Sequence, residues 1–213
     1  GSFGRLLDAA EDDLAIADVQ CFETEALMGQ AGVVAPVLTC LFHRLEERFT
    51  GRPTLLVLDE AWVFLDHPLF AGRLRDWLKT LRKKNVSVVF ATQSLSDIQS
   101  SSIAPAIIES SPSRIFLPNA RARETGIHAA YEGFGLNERQ IEIIATASPK
   151  RHYYYQSAIG NRLFELGLDP VALALCGASG PDDHKLIDSV LCESREGFAP
   201  AFLRAKGLAW AAD

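Results

Sequence analysis

Leu55-Leu56-Val57-Leu58 is followed directly by Asp59 and Glu60. An apolar run of that kind reads as a strand buried on both faces of a parallel sheet. In open α/β sheets ligands bind outside the carboxyl ends of such strands. Two acids delivered there suit nucleotide hydrolysis: the first can hold Mg²⁺ through water, and the second can position and deprotonate the attacking water. The same pair could equally end the strand in polar residues that cap the next helix. A second apolar run, Val88-Val89-Phe90-Ala91, ends in Thr92-Gln93-Ser94. In a parallel sheet these residues fall beside Asp59 and Glu60. An uncharged Gln can hydrogen-bond a γ-phosphate oxygen or the attacking water without repelling either. Two neighbouring strands with such tips point to a nucleotide-hydrolysing site, and that reading requires the side chains of Glu60 and Gln93 to converge.

Between the two strands, Arg73, Arg75, Lys79, Arg82, Lys83 and Lys84 crowd one segment, opposed only by Asp76. Cations in the last turn are favoured by the helix dipole, so a solvated, well-terminated face accounts for them. Arg82 also stands just before the strand that carries Gln93, where a subunit rim can reach a neighbour's phosphate. As an arginine finger it would stabilise charge in the phosphoryl-transfer transition state. Both readings stay open on sequence.

Half of such a site is missing from the sequence. A phosphate loop needs glycines for close backbone approach, amides at a helix N-terminus and a Lys for the β/γ charges, as in GxxxxGK followed by Ser or Thr. Gly29-Gln30-Ala31-Gly32-Val33-Val34 and Gly177 to Gly180 both lack the Lys. The expectation is a fragment that begins after the loop, binds ATP weakly or not at all, and does not turn it over. An exposed sheet edge or apolar face is a further expected consequence.

Other chemistries find less support. Cys21, Cys40, Cys176 and Cys192 form no CxxC and have no nearby His, which speaks against structural zinc and for reduced thiols in a cytosolic core. His43, His67, His128, His152 and His184 are scattered, and no Gly-x-Ser-x-Gly elbow supports a hydrolase nucleophile. Tyr153-Tyr154-Tyr155 after Lys150, Arg151 and His152 could stack on a single strand of nucleic acid. Alternation along a strand, however, turns at least one tyrosine into the core.

The elements that must position these residues follow from length and patterning. In 213 residues, 48% are hydrophobic and 23% charged, a globular balance with a core that needs no staples. The net charge of −6, from 21 Lys+Arg and 27 Asp+Glu, argues against wholesale wrapping of nucleic acid while leaving room for a local basic patch. No apolar run approaches the roughly 18 residues that span a bilayer, so membranes enter only through partners. Strands are expected at Ile16 to Phe22, Leu55 to Leu58, Val86 to Ala91, Arg114 to Leu117 and Arg151 to Ala158. A helix carries Val37, Leu38, Leu41, Phe42, Leu45 and Phe49 on one face and ends at Gly51 and Pro53. Asp66 or His67 can cap another, opened by Pro68, with Leu74, Trp77, Leu78 and Leu81 as its stripe. Asn137 and Gln140 form a capping-box pattern. After Gly180-Pro181 a helix presents Leu186, Ile187, Val190 and Leu191. This rhythm is that of a mainly parallel α/β sheet with a helical tail.

Leu58-Asp59-Glu60-Ala61-Trp62, the run Trp77 to Asn85, and Phe90-Ala91-Thr92-Gln93-Ser94 resemble the TrbE-like conjugal-transfer and type IV secretion ATPases. Ile115 to Asn119, Phe134 to Glu138, Pro149-Lys150-Arg151 and Gly160 to Phe164 continue the likeness in family order, from about Phe3 to Ala178. The resemblance implies a RecA-like P-loop NTPase core related to the FtsK and HerA translocases, truncated at its N-terminal side. Residues 1–180 would be the C-terminal portion of that ATPase domain, with 181–213 a helical tail packed on it. Asp59 and Glu60 match the second nucleotide motif, with Asp59 on Mg²⁺ through water, and Gln93 matches the polar sensor. Arg82 falls where FtsK-like relatives carry an arginine before their Thr-Gln strand. Lys150, Arg151 and Arg162 match further cationic, nucleotide-contacting positions, and Arg162 is the second choice for a finger. The implied setting is a multimer, such as a hexamer, at the cytoplasmic face of the bacterial inner membrane. It would use ATP and Mg²⁺ and meet channel and coupling-ATPase partners, with DNA a further candidate. Two rival readings are a DNA-translocating coupling motor and a non-catalytic interaction module of the secretion channel.

Overall fold

The structure, a computed structural model, describes residues 17–24, 27, 31–60, 68–193 and 195–212. Two compact units divide the chain: 1–112 with 124–136, and 113–123 with 137–213. The division therefore does not fall at residue 180, and the helical tail shares a unit with the residues from 137 onward.

In the first unit, helix α1 (Ala31–Arg48) leads through a turn to strand β1 (Thr54–Leu58). Gly51 makes that turn at φ +98°, a conformation side chains resist. Helix α2 (Pro68–Thr80) continues as a 3-10 turn over Leu81–Lys84 into strand β2 (Val86–Phe90), followed by α3 (Leu95–Ser100), α4 (Ala104–Ser110) and α5 (Thr125–Gly133). The expected caps Asp66 and His67 lie outside the described residues. Strands β1 and β2 pair in parallel, from Thr54 opposite Val86 to Leu58 opposite Phe90.

The α1–α2 contact forms the core of this unit. Leu38, Phe42 and Phe49 of the first segment meet Phe70, Leu74 and Trp77 of the second, all buried. Phe42 stands edge-on to Trp77 at 4.8 Å and to Phe70 at 5.5 Å, the geometry that aromatic quadrupoles favour. The indole N–H of Trp77 donates to Glu46 Oε1 at 2.5 Å, and Arg73 donates to the other oxygen at 2.7 Å. One glutamate thus satisfies the polar edge of the ring and removes Arg73 from the basic face.

Burial of β1 alternates. Leu56 and Leu58 are buried, whereas Leu55 is 64% and Val57 57% exposed, as is Val89 of β2 at 47%. Successive side chains of a strand point to opposite sides, so one face of the two-stranded sheet meets the core and the other is open. The run does not have the two-sided burial expected from its composition.

The second unit is built on an antiparallel sheet, β3 (Arg114–Phe116), β4 (His152–Ser157) and β5 (Gly160–Glu165), in that order. Parallel pairing among the described residues is confined to β1 and β2; a two-residue turn joins β4 to β5, and a tight hairpin can only pair antiparallel strands. The expected strand at Ile16 to Phe22 is not formed over residues 17–22, and Ile16 itself lies outside the described residues. Extended backbone there has no ladder partner among the described residues to take its N–H and C=O groups.

Helix α6 (Glu138–Thr146) opens with the predicted capping box: Asn137 Oδ1 accepts from Gln140 N at 3.0 Å, and Gln140 Oε1 accepts from Asn137 N at 2.8 Å. Ile141 and Ile144 are fully buried, as is nearly all of Tyr154. Burial raises the Tyr154 phenol above its usual range, against a hydrogen bond with Gln140 that lowers it. Helices α7 (Pro170–Cys176), α8 (Pro181–Glu193) and α9 (Phe198–Ala205) follow. Phe202, Leu203 and Val190 form the tail's core, while Leu191 remains 40% exposed. Lys206 pairs with Asp183 and lies 5.6 Å above the Phe202 ring. The cysteines depart from expectation: all four are exposed, because each falls on a solvent-facing position of its segment rather than on an apolar stripe.

Candidate functional site

Parallel, in-register pairing brings both strand tips to one edge. Leu58 and Phe90 are direct partners, and Ala91 N donates to Leu58 O at 2.9 Å, so the ladder runs to the last apolar residue of each strand. Asp59-Glu60 and Thr92-Gln93 then leave the sheet side by side. Gln93 Nε2 donates to Glu60 Oε1 at 3.0 Å. The Glu60 N–H donates to Asp59 Oδ1 at 2.9 Å, and all three side chains are exposed to solvent.

Glu60 occupies the left-handed region at φ +48°, unusual for a residue with a side chain. Strain at a strand tip accompanies ligand-binding geometry more often than it does a plain loop. Here it turns the chain sharply enough for Glu60 to face Gln93. The Thr92 hydroxyl is occupied locally, donating to Ser94 O at 3.3 Å.

Asp59 and Glu60 offer only hard oxygen donors. One or two carboxylates, completed by water and substrate phosphates, are the usual protein share of a Mg²⁺ site. Asp59 keeps its second carboxylate oxygen for this after accepting from Glu60, so the residues fit the ion. No group of three or more His, Cys, Asp or Glu side chains gathers among the described residues, so they form no all-protein metal cage.

The other candidates lie elsewhere. Arg82, in the 3-10 turn ahead of β2, stands at the amino edge of the strands whose carboxyl edge carries Glu60 and Gln93. Strand β2 alone puts about 13 Å between the two edges. Lys150, Arg151 and Arg162 belong to the second unit. Lys150 takes φ +62° in the turn before β4. Arg151 Nε donates to Glu165 Oε1 at 2.7 Å, which holds the Glu165 carboxyl below and the Arg151 guanidinium above their ordinary values. Arg162 is exposed opposite Tyr155 on the antiparallel sheet. The Tyr155 phenol is pulled below its usual value by hydrogen bonds with Ser113 and Ser157 and, to a lesser extent, by the Arg162 charge. Sequence reasoning missed Glu46 as the anchor of Arg73 and Trp77, since that contact closes over 27 and 31 residues with no local signal.

Residues 1–159 match the family described as the TraG P-loop domain. The chain is similar to "Conjugal transfer protein TrbE" of Rhizobium radiobacter, at 52% identity over 213 residues, covering 99% of this chain and 26% of that protein. A probable conjugal transfer protein TrbE of Sinorhizobium fredii is 48% identical over 97% of this chain and 31% of its own length. "Type IV secretion system protein virB4" of Bartonella henselae is 30% identical over 89% of this chain and 24% of its own length. Among solved structures, that of VirB4 of Thermoanaerobacter pseudethanolicus superposes with a TM-score of 0.51 at 21% identity, over 63% of this chain and 36% of the other, a likeness of fold. The chain thus spans about a quarter to a third of the length of these curated relatives.

Proposed function

Since the chain belongs to the TraG P-loop domain family, we propose that it carries the acid-and-glutamine half of an ATP-hydrolysing site in a conjugative-transfer, type IV secretion motor. The observation that carries this reading is the Gln93–Glu60 hydrogen bond at the shared carboxyl edge of two parallel strands.

In this reading Asp59 holds Mg²⁺ through water. When bound, the ion neutralises charge on the β- and γ-phosphate oxygens. Glu60 takes a proton from the attacking water, a carboxylate role that contributes about 10²–10⁴-fold to rate. Gln93 donates its amide hydrogens to a γ-phosphate oxygen or to the same water, so its present partner is the base it works beside. Arg82, at the far edge of its own strands, acts on the nucleotide of a second copy, with Arg162 as the substitute. Lys150 and Arg151 join the nucleotide contacts, Arg151 by exchanging Glu165 for phosphate. The assembly is a multimer at the cytoplasmic face of the inner membrane, docked to the secretion channel, and its stroke drives pilus assembly or substrate transfer.

The 213 residues contain no GxxxxGK motif with a following Ser or Thr, so turnover requires a phosphate loop outside this sequence. The exposed Leu55, Val57 and Val89 are consistent with a sheet face that another segment covers. The test compares the complete protein with its Glu60→Gln variant in a steady-state ATPase assay. Turnover should fall by about 10²–10⁴-fold with nucleotide binding retained, and the 213-residue chain alone should show none. Glu60-dependent hydrolysis by the isolated chain, or full activity of Glu60→Gln in the complete protein, would overturn the reading.

A further inference from the structure

The strongest charge feature of the molecule lies away from Glu60 and Gln93. Residues 73–84 hold six Lys or Arg and one acid, while the rest of the first unit has four Lys or Arg against sixteen Asp or Glu. A strongly cationic strip is thus set into an acidic body. Helix α2 and its 3-10 continuation fix its geometry, because Leu74, Trp77 and Leu81 are buried and turn the opposite side outward. Arg75, Lys79 and Lys83 follow one another four residues apart along that exposed side, with Arg82 and Lys84 flanking them. One helical step of four residues is about 6 Å, an interval close to that between successive phosphates of a nucleic-acid strand.

The strip is not consumed internally. Arg73 is tied to Glu46, and Arg75 lies 3.9 Å from Asp76, but Lys79, Arg82, Lys83 and Lys84 meet no acid among the described residues. Local helix electrostatics explain cations in the last turn; they do not explain why the row extends to Arg75, or why most of the unit's cations gather here.

We propose that the Arg75–Lys79–Lys83 row is a docking surface for the phosphate backbone of a nucleic-acid duplex, bound without regard to sequence. Three features select that partner. No exposed aromatic side chain accompanies the row, so base stacking, the means of gripping single strands, is not provided. The apolar side of the helix is spent in the core, so nothing remains to insert into a bilayer. Evenly spaced cations on a rigid helix match a regular line of phosphates, which position a protein but carry no sequence information. The acidic remainder of the unit repels a polyanion in other orientations, so contact is confined to this strip. Hydrolysis at Asp59 and Glu60 need not occur for the contact to form.

The test uses the 213-residue chain and fluorescein-labelled duplexes of about 20 base pairs in two unrelated sequences, with anisotropy followed between about 50 and 200 mM salt. The expected dissociation constants lie in the non-specific range, about 10⁻⁴–10⁻⁶ M, alike for both sequences, with a log–log salt slope of about −3 to −5. The triple variant Arg75→Gln/Lys79→Gln/Lys83→Gln should weaken binding at low salt at least tenfold and shrink the slope by about 2.7, or roughly 0.9 for each phosphate no longer neutralised. Arg82 is left unchanged because of its proposed role in hydrolysis. The charge-preserving Lys79→Arg/Lys83→Arg variant should bind as the parent does, and circular dichroism melts should match, since the substituted side chains are exposed. No duplex binding, an unchanged slope in the triple variant, or co-sedimentation with phosphatidylglycerol vesicles in place of duplex binding would each overturn the proposal.

Discussion

The left-handed backbone at Glu60 can be tested by comparing two replacements of the same residue. Glu60→Ala and Glu60→Gly both delete the carboxylate and the acceptor for Gln93, so those losses cancel between them. What differs is the response to φ +48°. A residue bearing Cβ loses about 1–2 kcal/mol in the left-handed region, whereas glycine enters it freely but gives up about 0.5–1 kcal/mol more chain entropy on folding. The balance favours the glycine variant by about 0.5–1 kcal/mol, or roughly 2–4 °C in melting temperature per kcal/mol for a chain of this size. Lys79, exposed in the last turn of α2, supplies the reverse case: there Lys79→Ala should exceed Lys79→Gly by about 1 kcal/mol. Urea denaturation and thermal melts of the four variants read both differences. If Glu60→Ala proves as stable as Glu60→Gly, the strand tip is not strained, and the account of how Glu60 is turned toward Gln93 fails.

Two further perturbations probe the second unit. Asn137→Ala removes one arm of the capping box and should lower stability by about 1 kcal/mol in denaturant titrations, with Asn137→Ser recovering most of it. The acid limb of stability should depend on Glu165 and Asp183, whose carboxyls are lowered by hydrogen bonds from Arg151 and from Lys206 with Gly180 N–H, respectively. A depressed folded-state value gives stabilisation that is full above the ordinary values of 4.5 and 3.8 and lost as pH falls through the lowered ones. Melts from neutral pH downward should therefore show a steeper acid decline for the parent than for Glu165→Gln/Asp183→Asn, and identical slopes would refute the assignment.

What was legible in the sequence was local. The capping box needs only residues 137 and 140, and the structure forms it as read. The stripe Leu74, Trp77 and Leu81 is a property of one helix, and it is buried. The meeting of Glu60 and Gln93 across 33 residues was also accessible, because parallel strands in register must end together. Properties set by distant partners were not accessible. Leu55 and Val57 have the composition of a two-sided core strand, yet their exposure depends on what lies over the sheet. Ile115 and Tyr155 give β3 and β4 ordinary strand signals, but nothing in them says that the pair is antiparallel and separate from β1. The cysteines sit outside the core because a high average burial for the residue type says little about a particular position.

Placement of charge in the first unit follows from the path of the chain. A right-handed crossover carries α2 back along the sheet, so its last turn must arrive at the amino edge of β2 while the acids leave from the carboxyl edge of β1. The helix dipole then favours cations at the first place, and hydrogen-bond donors and acceptors gather at the second. Arg82 and Glu60 are consequently held at opposite ends of one β-helix-β unit, separated by at least the roughly 13 Å of β2, and no side-chain rotation within one subunit can bring them to the same phosphate. If Arg82 serves hydrolysis, it does so between copies, and the spacing that prevents self-contact is what makes such a contact report on assembly. The row of Arg75, Lys79 and Lys83 faces outward from that same helix, so a polyanion and a neighbouring subunit would meet adjoining residues. Occupancy of the row could then bias how Arg82 is presented, a coupling whose physical basis is the rigidity of a helix anchored by Leu74, Trp77 and Leu81.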